Sequence, residues 1–365
     1  KCSHQLLTFF CFTQVPDYEK ELEDHRAFIA ENNLELRGRI YLNQQGINAQ
    51  MSGRGTDGEK YARWVESREH FNGMRISVYP VDEQAHPKLS LRYKPQLVQL
   101  EGGTAHLPVH DPKRRGTPLS PEEWHAKMTD VLDEKPDAPL LLDVRNGYEW
   151  DVGHFRGAQR PVQESFRETV ETNVASGDGP GGEPGARPGT TSGPLAGVDK
   201  SKPIMMYCTG GIRCEKATSL LLDEGFDEVY HLEGGILKYL ETVPESESLW
   251  EGACFVFDER VAVDHRLQPT GYIQCHACRR PLTEADLMLA SYAPGLSCRH
   301  CIDQLTSDQQ TRFAEREKQV RLAKARGDAH IGDAARKDQE KRKALKVALK
   351  QSQSAQPGKR RRPSA

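Results

Sequence analysis

Cys208 follows the apolar run Ile204–Tyr207 and opens the loop Cys208-Thr209-Gly210-Gly211-Ile212-Arg213, beyond which a helical pattern covers 215–224. A thiol between a buried strand and a helix N-terminus is placed to be a nucleophile. Successive backbone N–H groups and the helix dipole favour its thiolate. Glycines at 210 and 211 let the backbone curl round an anion, and Arg213 adds a fixed positive charge. Cys214, six residues on, is placed either to resolve an oxidised or persulfidated Cys208 or to pack beneath the loop. Lys216 is a candidate for holding a substrate phosphate.

A second group of cysteines has metal-ligand spacing. Cys275-His276-Ala277-Cys278 and Cys298-Arg299-His300-Cys301 are 19 residues apart, close to the spacing of a Cys₄ zinc site. Each pair can present two thiolates to one tetrahedral ion, and a closed set of four implies a structural Zn²⁺. The alternative is four free thiols. Cys2, Cys11 and Cys254 carry no spacing signal and read as packed cysteines.

The elements that must carry these residues follow from periodicity. Strand-like runs at 140–144, 204–207 and 229–232 alternate with helical patterns at 121–133, 215–224 and after Gly235. That alternation predicts a mostly parallel, doubly wound sheet, with Cys208 at a strand's carboxyl end, where such sheets bind ligands. Ser120 is the expected N-cap of the helix at 121–133. Ahead of it, residues 1–104 read as a βαββαβ ferredoxin-like domain. Its strands are expected at 6–15, 39–51, 74–81 and 89–100, and its helices at 18–31 and 57–70. Gly46-Ile47-Asn48 interrupts the second strand region, as a bulge or close approach or as part of an RNA-facing surface; Arg37, Arg39, Arg54 and Lys94 support the latter. Residues 105–120 read as a linker and 121–247 as the α/β domain. Within that domain 173–200, rich in Gly, Pro, Ser and Thr, reads as a flexible insertion. Residues 248–310 form the Cys-rich module, zinc-ribbon-like, and 311–365 a basic helical or disordered tail.

Charge sharpens the division. The net formal charge is −3, yet 311–365 carries 17 Lys/Arg against 6 Asp/Glu, so the rest of the chain is acidic. The tail from Arg312 onward is the best phosphate-contact candidate, with a solvated charged helix as the alternative. No apolar run approaches the roughly 18 residues of a membrane span. The paired cysteines suit a reducing compartment. The chain begins at Lys1 rather than Met, which predicts a fragment or processed form.

Three segments together resemble the rhodanese domain: Leu-Leu-Asp-Val-Arg-Asn-Gly-Tyr-Glu-Trp at 141–150, Gly-His-Phe-Arg-Gly-Ala at 153–158, and the loop at 208–213. Leu232-Glu233-Gly234-Gly235-Ile236 resembles the Gly-Gly turn that opens that domain's last helix. The flanks narrow the likeness. Gly38-Arg39-Ile40-Tyr41-Leu42 with Gly46-Ile47-Asn48-Ala49-Gln50, the loop extended through Cys214-Glu215-Lys216, and Cys254-Phe255-Val256-Phe257-Asp258-Glu259-Arg260 resemble the TrhO family of oxygen-dependent tRNA uridine hydroxylases. The insertion at 176–196 is more similar to plant and algal relatives, so cytoplasm or plastid stroma is the implied compartment.

The resemblance implies hydroxylation at C5 of the wobble uridine (U34) of tRNA to 5-hydroxyuridine, with Cys208 required. Molecular oxygen is the co-substrate, no organic cofactor is evident, and the tRNA anticodon arm is the partner. Cys208 would either add at C6 of uridine or first be oxidised and deliver the oxygen. Thr209, Gly210, Gly211, Ile212 and Arg213 form the anion cradle, Asp143 and Arg145 are expected to brace the loop and neighbouring turns, and His154 reads as a packed turn histidine. Two other readings stay open: thiosulfate or persulfide sulfurtransfer through Cys208, and a non-catalytic rhodanese scaffold.

Overall fold

The computed structural model describes residues 3–100, 107–161, 166, 195 and 197–328. Cys2, most of the 173–200 insertion and the tail beyond 328 lie outside them. The chain divides into two units, one holding 1–274 with 280–284 and the other 275–279 with the residues from 285 onward.

The first unit begins with β1 (His4–Phe12), α1 (Tyr18–Glu31), β2 (Leu36–Asn43), β3 (Gly46–Arg54), α2 (Asp57–Glu66), β4 (Ile76–Val81) and β5 (Leu89–Tyr93). Asp17 caps α1 by accepting from the Lys20 N–H at 3.0 Å, and Glu19 and Glu21 complement the dipole in its first turn. The sheet order β4-β1-β3-β2 is that of a ferredoxin-like sandwich, and β5 adds a fifth strand parallel to β2. Leu7, Phe9, Ile40, Ile47 and Met51 face α1 and α2 and are buried with Tyr61, Ala62 and Val65. The strand expected over 39–51 is two strands of a hairpin. Its register pairs Asn43 with Gly46, so the chain reverses at Gln44-Gln45. Gly46 opens β3 at φ +128°, where a Cβ would strike the Cys11 carbonyl, so glycine is required by a close approach and not by a bulge.

Strand alternation gives β1, β3 and β4 a second face. Leu6 and Tyr79 from it are buried with Trp124, Tyr207 and Ile236, while Phe12 joins Cys208, Cys214 and Leu220. The N-terminal sheet therefore packs against the following domain through the side away from its own helices.

That domain contains β6 (Thr117–Leu119), α3 (Pro121–Leu132), β7 (Leu140–Asp143), α4 (Gly147–Trp150), β8 (Gly153–Phe155), β9 (Ile204–Tyr207), α5 (Ile212–Asp223), β10 (Val229–Leu232) and α6 (Gly235–Thr242). Its sheet, β6-β10-β9-β7, is parallel throughout. Met205 and Tyr207 on β9 face the side of α3 and α6, whereas Ile204 and Met206 face α5, so the sheet is doubly wound. Ser120 and Glu123 form a capping box on α3. The expected linker 105–120 needs correction. Leu107 and Val109 are buried, and Thr117–Leu119 is an edge strand on β10. Pro118 and the short length hid it, as an edge position tolerates both.

After α6, β11 (Trp250–Gly252) pairs with β8, and β12 (Cys254–Phe255) pairs with β13 (Ala262–Val263). β14 (Ile273–Gln274) and β15 (Pro281–Leu282) form a short hairpin flanking the first cysteine pair. Cys254 is fully buried, as expected, and Cys11 is half-buried.

In the second unit, α7 (Ser307–Ala325) is capped by a Thr306–Gln309 box. It exposes most of its length, with Ala323 its one fully buried residue among those described. No helix of the described residues is long and apolar enough to cross a membrane.

Candidate active site and metal centre

The Cys208 loop is built from both ends. β9 delivers Cys208 at its carboxyl end, and α5 begins at Ile212, three residues earlier than periodicity suggested, with Gly211 at φ +94° as its N-cap. The Gly211 N–H donates to Cys208 Sγ at 3.1 Å. Gly234 and Gly235, both left-handed, turn the chain beneath. A Cβ on Gly235 would lie 2.6 Å from the Cys208 and Thr209 carbonyl oxygens. Those carbonyls accept from the Ile236 and Leu237 N–H groups at 3.0 and 3.2 Å, tying the loop to α6.

Cys208 is fully buried. Burial opposes its thiolate, but the Cys214 thiol, the Arg213 guanidinium and the backbone N–H groups of Cys214 and Arg213 outweigh it and bring the pKa down to about 5. Cys214 moves the other way. Burial and the neighbouring Cys208 sulfur push it well above the ordinary thiol value, so it stays protonated and donates.

Arg213 does not reach out to a ligand. Its Nη atoms donate to Glu149 at 2.7 and 2.8 Å and to Thr209 Oγ1 at 3.1 Å. Thr209 in turn donates to Glu149 at 3.3 Å. Burial raises the Glu149 pKa, yet Arg213 and Arg145 more than reverse that, and the carboxyl is held below its usual range. Glu149 lies within the 141–150 segment, but its partner Arg213 is 64 residues away, so no local spacing marks the pair. Glu149 also accepts from the Asn146 N–H at 3.1 Å, closing a capping box at the start of α4.

Asp143 and Arg145 form a fully buried pair at 2.6 Å, and Arg145 also donates to the Glu149 and Gly153 carbonyls at 3.3 and 2.7 Å. They brace the turn that carries Glu149 rather than the loop itself. His154 stacks on Trp150 with centroids 3.8 Å apart. Lys216 belongs elsewhere. Its ammonium is buried, donates to the Val98 carbonyl at 3.2 Å, and falls to a pKa of about 8 through burial. It does not line the Cys208 cleft, because the helical step from Arg213 turns it into the domain core.

The cleft over Cys208 has a volume of about 90 Å³. Thr209, Gly210, Ile212 and Arg213 line it from the loop side, Phe257, Asp258 and Arg260 from the segment after β12, and Phe10, Asn48 and Gln50 from the N-terminal sheet. Phe257 lies 5.6 Å from the Arg213 guanidinium. Arg260 is paired with Asp258 at 2.9 Å.

Two family models match the chain. The UPF0176 acylphosphatase-like domain covers 4–97, and the rhodanese-like domain covers 125–242. The chain joins a UPF0176 N-terminal domain to a rhodanese-like domain. That pairing is the architecture of the UPF0176/TrhO family. Among solved structures, a rhodanese-like domain from Anabaena sp. is 20% identical, covering 37% of this chain and 79% of that one, with TM-score 0.25. A Rhodopseudomonas palustris protein of unknown function, described as a possible tyrosine phosphatase, is 21% identical over 40% of this chain and 95% of that one, with TM-score 0.27. The rhodanese-like domain points to an enzyme-like sulfur or redox activity.

The second unit holds the cysteine cluster. The Sγ atoms of Cys275, Cys278, Cys298 and Cys301 all lie within 4.8 Å of one another. Separations of 3.9 Å (Cys275–Cys301), 3.6 Å (Cys278–Cys298) and 3.8 Å (Cys298–Cys301) are close to the roughly 3.8 Å edge of a tetrahedron with Zn–S of about 2.3 Å. The His300 N–H donates to Cys298 Sγ at 3.4 Å, as a metal knuckle requires. The four residues thus fit a metal ion such as zinc, held in a closed structural site. Purified protein should carry about one zinc per chain, and Cys298→Ala should reduce it to near zero by elemental analysis. A wild-type content far below one would dispose of the site.

Proposed function

We propose that the protein hydroxylates C5 of the wobble uridine of tRNA, giving 5-hydroxyuridine, with Cys208 as the nucleophile. One observation carries this over transfer of a small sulfur anion. Both cations lining the Cys208 cleft are already neutralised, Arg213 by Glu149 and Arg260 by Asp258. A free dianion would find no spare charge there, whereas a neutral planar base would meet Phe10 and Phe257.

The roles of the residues follow. Cys208, already ionised, adds to C6 of the uracil ring and raises electron density at C5, which takes an oxygen atom. Loss of the C5 proton and of the thiolate restores the ring. Over the cycle one atom of O₂ enters the base and the other leaves as water, with two electrons and two protons from two external thiols, which leave as their disulfide. Gly211 N–H and the Cys214 thiol hold Cys208 Sγ as an anion, and the Glu149–Arg213 pair fixes the loop. A wobble base lies in a single-stranded loop, so turning it into a pocket costs little. Phosphate contacts are assigned to the basic C-terminal segment.

Sulfurtransfer is the second reading, favoured by the Gly211 N–H on Sγ, which would equally cradle a persulfide. Nucleoside mass spectrometry of tRNA separates the two. Cells with Cys208→Ala protein should lose 5-hydroxyuridine and keep 2-thiouridine. The converse pattern favours sulfurtransfer, and no change in either leaves a scaffold.

A further inference from the structure

Three polar side chains of the N-terminal domain reach the Cys208 cleft without a hydrogen-bond partner among the described residues. Asn48 and Gln50 are alternate residues of β3, so both project from the face away from α1 and α2. Both line the cleft, and neither amide makes a hydrogen bond among the described residues. His86, between β4 and β5, lines it too. It is only 3% exposed, and its Nε2 has no partner. Burial, with Arg39 and Arg260 nearby, lowers its pKa to about 4 despite Asp258, so the ring is neutral near pH 7 and offers one donor and one acceptor.

The buried Nε2 of His86 costs stability unless a ligand completes it, while the half-buried amides of Asn48 and Gln50 can exchange water for a ligand. A carboxamide presents a donor beside an acceptor, which matches N3–H beside a carbonyl on the imide edge of uracil. Phe10 and Phe257 line the same cleft and can meet a ring, and its charged side chains are paired with one another or with Glu149. Beyond Asn48 in register lies Tyr41, whose ring carries Arg92 and Lys94 at 5.3 and 4.8 Å. An RNA strand leaving the cleft along this side of the sheet would meet an aromatic ring and two cations.

From these juxtaposed groups, and resting on the uridine reading above, we propose that Asn48, Gln50 and His86 form the base-reading subsite, binding the imide edge of the extruded uracil while its C5–C6 bond lies over Cys208. The N-terminal domain then supplies the choice of base and the rhodanese-like domain supplies the thiolate.

The test uses the full chain and two anticodon stem-loop RNAs, one with U at the wobble position and one with C. Asn48→Ala and Gln50→Ala should each lower kcat/KM for 5-hydroxyuridine formation by roughly 10- to 100-fold. The pH midpoint of Cys208 alkylation by iodoacetamide should stay near 5 in the free variants, because no group that lowers it lies on β3, which shows that fold and thiolate survive. The U stem-loop should slow that alkylation in the wild type and fail to do so in Gln50→Ala, and the C stem-loop should protect neither. Wild-type kcat/KM in both variants, or equal protection by U and C, overturns the subsite while leaving the uridine reading intact. A wild-type protein that neither forms 5-hydroxyuridine nor is protected by the U stem-loop removes that reading, and the subsite with it.

Discussion

Alkylation of Cys208 should rise through about pH 5 and stay flat above pH 6.5, while an ordinary thiol gains about tenfold per pH unit up to its own pKa. The sign follows from the lowered pKa: the thiolate is already formed at neutral pH, so further base adds nothing. At pH 6 a thiol of pKa about 5 is roughly 90% ionised and one of pKa about 9 roughly 0.1%. Lower basicity offsets part of this, since nucleophilicity falls by about 0.4–0.5 log units per pKa unit, leaving a net advantage on the order of tenfold. Cys214→Ala should move the midpoint upward, because the Cys214 thiol is the first of the groups favouring the thiolate. Arg213→Met should move it the same way. Mass-spectrometric alkylation rates at Cys208 between pH 4.5 and 9 measure both, and a wild-type midpoint near 9 would refute the thiolate assignment.

Glu149→Leu should cost about 3–5 kcal/mol of stability, the penalty for stranding a buried partner charge. Glu149 is fully buried, and its loss leaves Arg213 without its carboxylate partner, hydrogen-bonded to Thr209 among the described residues and close to the faces of Phe166 and Phe257 and to the Cys208 thiolate. For a unit of this size that corresponds to a fall in Tm of roughly 6–20 °C. Removing both charges should restore much of it, since a buried pair replaced by apolar side chains of similar volume is often neutral or better. Glu149→Leu/Arg213→Met should therefore fold well yet show a raised Cys208 midpoint. Thermal unfolding of the three variants tests this. A single-mutant loss under about 1 kcal/mol would mean that the pair is not holding the loop.

The parts of the fold that were legible were those in which local pattern and tertiary role agree. The helix at 18–31 and the strands at 204–207 and 229–232 have the expected bounds, the helix because one face packs on the N-terminal core and the strands because both faces of their sheet are covered. In sequence the β2–β3 hairpin reads as one strand, since its turn is Gln44-Gln45, without the Asn-Gly or Gly-Gly signature that marks tight hairpins. β6 was read as linker because three residues beside a proline carry no periodicity. At the site, Cys208 and its loop announced themselves through glycine and helix-start chemistry, which are local. Glu149 lies 64 residues from Arg213 and pairs with it only after the parallel sheet forms. Lys216 failed as a ligand candidate for the same reason: one residue of helical rotation decides whether an ammonium faces a cleft or a core. The amides of Asn48 and Gln50 lay within a recognised motif, but β3 had first to be separated from β2 before they could be seen to share a face.

The roof over the thiol comes from the N-terminal sheet and the segment after β12, and the thiol from the rhodanese-like domain, so what covers the sulfur and what activates it sit on different parts of the chain. With the proposed subsite, a change on β3 would alter what is accepted without disturbing how sulfur is activated, since none of the groups that lower the Cys208 pKa lies on that strand. Substrate range can then drift along one sheet face while the reactive loop stays fixed.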